Sequence, residues 1–296
     1  MIMISTSYVK QKIRQRPRDM HKGQAGRVLI IAGSRGMAGA AVLSLRGALY
    51  SGAGLVKALV PGELFNILQT AVPEAMCVDR DEICKGGTKN AAEFFAEFDA
   101  VAVGPGLGVK EENFTLIECL LERFEGSLVI DADALNCIAK YGSLAGRDAP
   151  TILTPHPGEA DRLLKSAGCG TVRELGREAA AEALARKSGG VVLLKGADTV
   201  IADGYYDQGE HILYVNPTGN PGMATGGSGD VLTGITASFA AQKHLDMKPV
   251  EAACTGAFIH GLAGDIAAEN IGEYGMTAAD IADAISVAIR EIERNG

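Results

Sequence analysis

The string Thr225-Gly-Gly-Ser-Gly-Asp230 runs out of an apolar stretch and into a segment with helical spacing. A helix start offers unpaired N–H groups and a partial positive charge, so such a turn suits a phosphate. Gly226, Gly227 and Gly229 let the backbone approach that anion with no Cβ in the way. No Gly-Lys-Ser/Thr follows them, so the string is not a Walker A loop, and it does not sit on a first strand as a dinucleotide fingerprint would. Asp230 has two readings from its position alone. It caps the helix, or it is a general base beside the anion, taking a proton from a hydroxyl that attacks phosphorus.

Other chemistry-bearing residues follow short apolar runs. Gly39, Ala40 and Ala41 open a helical segment, where small residues serve either close packing or a bulky ligand. Gly104-Pro-Gly-Leu-Gly108 follows Ala100–Val103, and ligands of parallel sheets lie outside the carboxyl ends of strands. Asp131 and the string Thr154-Pro-His-Pro-Gly-Glu159 each end a further apolar run. Lys195 ends another and is either a nucleotide contact or a strand-end lysine reaching solvent. His260, within helical sequence, is assigned to packing.

The elements that must position these groups alternate. Strands are predicted at Arg27–Ala32, Leu55–Val60, Ala100–Gly104, Leu128–Asp131, Thr151–Leu153 and Val191–Leu194, nearly continuous in Val, Ile and Leu as in sheets covered on both faces. Helices are predicted at Ala38–Ser51, Glu111–Phe124 and Val172–Lys187 between them. Thr199–Ala202 and His211–Val215 read as a hairpin across Asp203–Gly209, and helices at Asp230–Gln242, Pro249–Asn270 and Thr277–Arg294 close the chain. The alternation predicts an α/β/α three-layer fold with a mostly parallel central sheet. No repeat or boundary divides the chain, which reads as a leader or first helix over 1–20 and one domain over 21–296.

Net charge is -8 and no long basic block occurs, which argues against a nucleic-acid partner. No apolar stretch approaches the ~18 residues needed to span a membrane. The first eighteen residues are basic but lack the apolar core of a secretion signal. Six scattered cysteines without a CxxC pair fit reduced thiols and a cytoplasmic location.

Thr225-Gly-Gly-Ser-Gly-Asp230 resembles the anion hole and catalytic base of ribokinase-like enzymes, and the longer stretch Asn216–Gly234 resembles the NAD(P)H-hydrate dehydratases. His21–Gly26, Gly33-Ser34, Gly39–Ala41, Gly104–Gly108, Val129–Asn136, Thr154–Glu159 and Val191–Thr199 are similar to the same family, so the likeness runs from His21 to about Asp280. It implies a ribokinase-like fold and the repair of hydrated NADH or NADPH at the expense of ADP or ATP. It implies substrate contacts at Ala40, Gly106, His156 and Asp230, with Asp230 the catalytic base. Nucleotide contacts are implied at Lys195, Gly196, Ala197, Asp198, Thr199 and Gly229, and an anion hole at Gly227, Ser228 and Gly229. Related kinases of small hydroxymethyl compounds carry Asn-x-x-Glu where this chain has His156 and Glu159. Glu159 is then a water-mediated Mg²⁺ anchor, Asp131 a further candidate for that role, and the histidine points away from a plain kinase. A hydroxymethylpyrimidine or hydroxyethylthiazole kinase is the competing enzyme, and a nucleotide-binding sensor without turnover the competing non-enzyme. The resemblance also implies a homo-oligomer, a tetramer in many relatives, and a separate hydrate epimerase as partner.

Overall fold

Successive residues of the strand Arg27–Ile31 serve two different cores. Val28 and Ile30 are buried in one, Leu29 and Ile31 in the other. This is why the strand reads as an unbroken apolar run: pleating sends alternate side chains to opposite faces, and both faces are covered. In the computed structural model, which describes residues 1–144, 146–205 and 212–294, ten strands form one sheet. They are β1 (Ile2–Met3), β2 (Arg27–Ile31), β3 (Leu55–Val60), β4 (Met76–Asp79), β5 (Ala100–Val103), β6 (Ser127–Ile130), β7 (Thr151–Leu153), β8 (Val191–Leu194), β9 (Thr199–Asp203) and β10 (Leu213–Asn216). Their order is β1-β10-β9-β8-β7-β6-β5-β2-β3-β4. Every pairing is parallel except the two made by β9.

The helices Ala38–Tyr50, Ser228–Ala241, Pro249–Ile271 and Ala278–Arg294 fill one face, and Gly87–Phe95, Glu111–Arg123, Ala132–Tyr141, Pro157–Ser166 and Arg177–Ser188 the other. The three-layer α/β/α expectation therefore holds. At the amino end, β1 pairs with β10, and the helix Thr6–Lys12, capped by Ser5, buries Val9 and joins Pro249–Ile271 through Lys12 and Glu251 at 2.6 Å. No helix of the described residues is long and apolar enough to cross a membrane.

Several boundaries differ from the sequence reading. The predicted helix Val172–Lys187 is two helices, Val172–Leu175 and Arg177–Ser188, because Gly176 between them takes φ 82°. Strands β1 and β4, absent from the sequence reading, form the two edges of the sheet and are the least buried. Thr199–Asp203 and Leu213–Asn216 pair antiparallel, while residues 206–211, including the expected strand start at His211, lie outside the described residues. The helix expected from Asp230 starts at Ser228, with Gly227 as its N-cap at φ 95°. Asp230 is thus inside the first turn, and the capping reading gives way.

That helix lies against Ala38–Tyr50 at backbone distance. A Cβ on Gly234 would overlap the Ser44 carbonyl and stand 2.8 Å from Ala48 N, and one on Gly47 would overlap the Val231 carbonyl. Gly234→Ala is therefore expected to lower stability by about 2–4 kcal/mol through forced separation of the two helices. Gly39→Ala, with open space around its Cβ, should leave stability unchanged or slightly raised. Urea unfolding of both variants checks this, and equal effects would sink the close-contact account.

Candidate active site

Parallel strands send all their carboxyl ends to one edge, and the predicted residues collect there. Short bonds continue the ladder beyond the strands: Gly104 N to Ile31 O, Asp131 N to Val103 O, Thr154 N to Ile130 O and Lys195 N to Pro155 O, between 2.8 and 3.1 Å. Each fixes the first residue of a functional loop relative to its neighbour. Asp131, 1% exposed, ends β6; Glu159 follows β7; Lys195 ends β8.

Their side chains meet. Lys195 Nζ donates to Asp131 Oδ1 at 2.6 Å and lies 3.8 Å from Glu159 Oε2. Asp131 Oδ2 accepts from Thr233 Oγ1 at 2.6 Å. Thr233 is one turn beyond Gly229, and a Cβ on Gly229 would stand 3.3 Å from Lys195 Nζ. The lysine ammonium therefore lies directly under the turn that carries Asp230. Gly229 makes room for that ammonium; its own φ is not in the left-handed region.

Burial raises the Asp230 carboxyl from 3.8 to about 7, reinforced by Asp131 and opposed by Lys195. Burial lowers the Lys195 ammonium, but Asp131 and Glu159 outweigh it and the net shift is upward. Glu159 is raised by burial, against the pull of Lys195. Hard oxygen donors are thus concentrated here, yet among the described residues no group of three or more His, Cys, Asp or Glu is arranged to hold a metal alone. This donor set fits an ion that brings phosphate oxygens and keeps its waters.

The anion turn itself is open on its helical axis. The first helical bond is Val231 N to Gly227 O at 3.1 Å, so Gly229 N and Asp230 N precede the ladder. Ser228 N makes a long bond to Thr225 O at 3.4 Å, and its hydroxyl lies 3.3 Å from His260 Nε2. Burial takes the His260 imidazole down to about 4, so it is neutral near pH 7. It packs, as read from sequence, and also pins the start of the anion helix.

Ala40 and Gly106 are brought together: a Cβ on Gly106, whose φ is 60°, would stand 2.9 Å from Ala40 Cβ. Ser34 Oγ donates to Gly106 O at 2.9 Å, and Asp133 accepts from Gly108 N at 2.8 Å. His156 is the N-cap of Pro157–Ser166. Its Nδ1 accepts from Gly158 N at 3.0 Å, its N–H donates to Glu159 Oε2 at 2.8 Å, and Nε2 lies 3.2 Å from Glu159 Oε1. Burial lowers its pKa, with Lys195 and Arg162 adding to the shift. Of the segment 195–199, the lysine reaches the anion turn. Gly196, Ala197 and Asp198 are exposed, and Thr199 Oγ1 donates to Gly196 O at 2.9 Å.

Sequence reasoning missed four supporting residues. Thr233 bonds Asp131. Arg177 donates to Leu194 O at 3.2 Å and to Ala197 O, tying down the 194–197 loop. Asp265 accepts from Gly219 N and Asn220 Nδ2, both at 2.9 Å, anchoring the 216–223 loop to Pro249–Ile271. Asp133 holds the Gly108 turn. The one signal in sequence was the set Gly256, Gly261 and Gly264 in a helix, where a Cβ on Gly261 or Gly264 would collide with Thr218 or Met223 of that loop.

A ten-stranded sheet with an anion turn over its carboxyl edge defines a ribokinase-like protein, and the chain superposes at TM-score 0.81 on a ribokinase-like superfamily protein of Enterococcus faecalis, 29% identical over 98% of this chain and 96% of that one. A hydroxyethylthiazole kinase of Pyrococcus horikoshii shares the fold alone, at 0.58 and 15% identity. The family model described as NAD(P)H-hydrate dehydratase matches residues 28–287, and the chain belongs to that family. It is 42% identical to a bifunctional NAD(P)H-hydrate repair enzyme of Moorella thermoacetica over 98% of this chain and 54% of that protein, and 38% identical to one of Escherichia coli over 94% and 50%. The chain thus spans about half the length of these curated relatives. An ADP/ATP-dependent NAD(P)H-hydrate dehydratase of Bacillus subtilis, co-crystallised with ATP and Mg²⁺, superposes at 0.83 with 28% identity and 99% of both chains covered.

A carboxyl raised from 3.8 to about 7 favours the folded state only while protonated. That contribution is complete below its unfolded pKa and is lost as pH rises through about 7. Asp230→Asn, which lacks the ionisable group, is expected to exceed the wild type in stability by about 1–3 kcal/mol at pH 8 and to match it at pH 4. Denaturant unfolding at the two pH values checks this; a difference independent of pH would rule it out.

Proposed function

We propose that this chain dehydrates hydrated NADH or NADPH, consuming ADP or ATP, and that Asp230 is its catalytic base. The observation that carries the reading is a half-buried carboxyl in the first turn of an anion-binding helix, brought to near neutrality by burial and by Asp131. A base is most useful when its pKa lies near the working pH, and a protein that only binds nucleotide needs none.

The donor's terminal phosphate lies against the backbone N–H groups around Gly227, Ser228 and Gly229, with the positive helix end directed at it. The hydrated ring lies against the closely packed small residues Ala40 and Gly106, with His156 as a further contact. Residues 195–199 hold the nucleotide, on a loop that Arg177 keeps in place. Asp230 takes the proton of the ring hydroxyl as its oxygen attacks phosphorus. The new O–P bond replaces the bond to the donor, which leaves one phosphate shorter. Phosphate then departs with the C–O electron pair, the adjacent ring carbon loses a proton, and the dihydronicotinamide double bond is restored. Glu159 is the residue that would hold Mg²⁺ through its waters; the further candidate, Asp131, has both carboxyl oxygens engaged by Lys195 and Thr233. When bound, the ion would neutralise charge on the phosphates.

A retained Glu159 with His156 before it supports the dehydratase over the small-molecule kinase. The B. subtilis dehydratase structure with ATP and Mg²⁺ supports the same nucleotide and ion for this chain. We extend the reading to a homotetrameric, cytoplasmic repair enzyme working beside a hydrate epimerase, an activity in keeping with the bifunctional names of its relatives.

The test is recovery of the dihydronicotinamide absorbance from hydrated NADH with Mg²⁺ and either ADP or ATP. Recovery that needs both protein and nucleotide is expected, with Asp230→Asn reduced by about 10²–10⁴-fold. Activity should rise with pH through about 7 as Asp230 ionises. No recovery from folded protein with either nucleotide would make the kinase reading the leading one.

A further inference from the structure

We infer that Asp131 and Thr233 are positioning residues for Lys195, holding its ammonium beneath the anion turn as a resident positive charge for the phosphoryl group. The inference rests on the phosphoryl-transfer reading above.

Both oxygens of Asp131 are spent inside the protein. Oδ1 takes Lys195 at 2.6 Å and Oδ2 takes Thr233 at 2.6 Å. Thr233 is fully buried, and its Oγ1 also lies 3.0 Å from Gly229 O. One hydroxyl proton cannot serve both acceptors, and the shorter bond to a charged carboxylate takes it. Asp131 is therefore tied to the anion helix by the threonine and to the end of β8 by the lysine. The result is an ammonium whose nitrogen stands 3.3 Å from where a Gly229 Cβ would be.

Asp131 and Glu159 keep the ammonium charged in the folded protein, but the helix end above it gains nothing from a cation. A cation at a helix N-terminus has the wrong sign for the helix dipole. A buried ion pair is on average no more stable than apolar residues of similar volume, because both charges lose their water. The cation becomes well placed when an anion occupies the same turn. It then faces a phosphate, and the helix end and the ammonium attract the same group. Gly229, without a Cβ, is what lets the two act from one spot.

The test compares Thr233→Val, which removes the hydroxyl at similar volume, with Thr233→Ser, which keeps it. Calorimetry with Mg–ADP and Mg–ATP gives nucleotide Kd, and the hydrate assay gives kcat and KM. Thr233→Val is expected to weaken nucleotide binding and lower kcat, each by roughly tenfold to a hundredfold, with KM for the hydrate unchanged. Thr233→Ser should return both to within about threefold of wild type. The double variant Lys195→Met/Asp131→Asn removes both members of the closest pair while Glu159 keeps its bond from the His156 N–H, so with its melting measured alongside it should bind nucleotide roughly tenfold more weakly. Wild-type behaviour of Thr233→Val, failure of serine to rescue, or wild-type nucleotide affinity in the double variant would each overturn the inference. Should the wild type recover no absorbance, the dehydratase reading falls, while the nucleotide affinities still decide the role of Thr233.

Discussion

The Ser228–Ala241 helix touches Ala38–Tyr50 through backbone rather than side chains, with Gly47 and Gly234 each admitting the other helix's carbonyl. Gly227, one residue before the helix, would in turn strike Leu43 if it carried a Cβ. Three contacts along one helix leave it little freedom to slide or rotate. Its first turn is consequently held over the carboxyl ends of the sheet by core packing, not by the loops of the site. A helix start held this way is rigid, so its N–H groups keep one orientation. The same contact makes this region intolerant of added volume, because a close-packed interior passes strain on instead of absorbing it.

Charge is the second constraint, and it follows from the first. Fixing the helix over the strand ends brings Asp230 into the field of Asp131, Asp133 and Glu159, with the Lys195 ammonium opposing them. Burial and like charge together move its carboxyl to about 7. The site thus holds a base that is only partly ionised near neutrality, and that condition is unfavourable to the unliganded fold above pH 7. Energy stored this way is released when positive charge or a proton enters, which is the sense in which stability and chemistry are opposed at this residue.

Much of this was legible in sequence because it follows from local rules. The six apolar runs are strands buried on both faces, a state in which periodicity vanishes and only length and flanking glycines remain as signals. The anion turn was legible because glycine density and a following apolar helix are local. Strands β1 and β4 were not, since their apolar runs are short and the strands lie exposed at the sheet edges. The break at Gly176 was hidden within a helical pattern of alanines. Thr233, Arg177 and Asp265 were invisible for another reason. Each acts across the sheet or between helices, on a partner at least seventeen residues away, and nothing in its own neighbourhood distinguishes it from a surface or core residue. The Gly256, Gly261 and Gly264 spacing is a sign of close approach, but nothing in it tells that Gly256 meets a helix and the other two a loop.

His156 shows how a substitution at one position preserves a structure while changing what it presents. An asparagine at a helix N-cap accepts an N–H from the first turn through its side-chain oxygen. Here Nδ1 of the histidine does that work, accepting from Gly158 N, and Glu159 returns the bond to the His156 N–H. The helix start is therefore held as an Asn-x-x-Glu start would be, and Glu159 stays at the phosphate edge of the sheet. With Nδ1 accepting, the proton of the neutral ring resides on Nε2, 3.2 Å from Glu159 Oε1. Lys195 and Arg162 work against a second proton. What differs from asparagine is the ring, a half-exposed aromatic plane beside Glu159. The cap explains why the position accommodates histidine: a helix start needs an acceptor for its first-turn N–H, and the imidazole Nδ1 supplies one as an amide oxygen would.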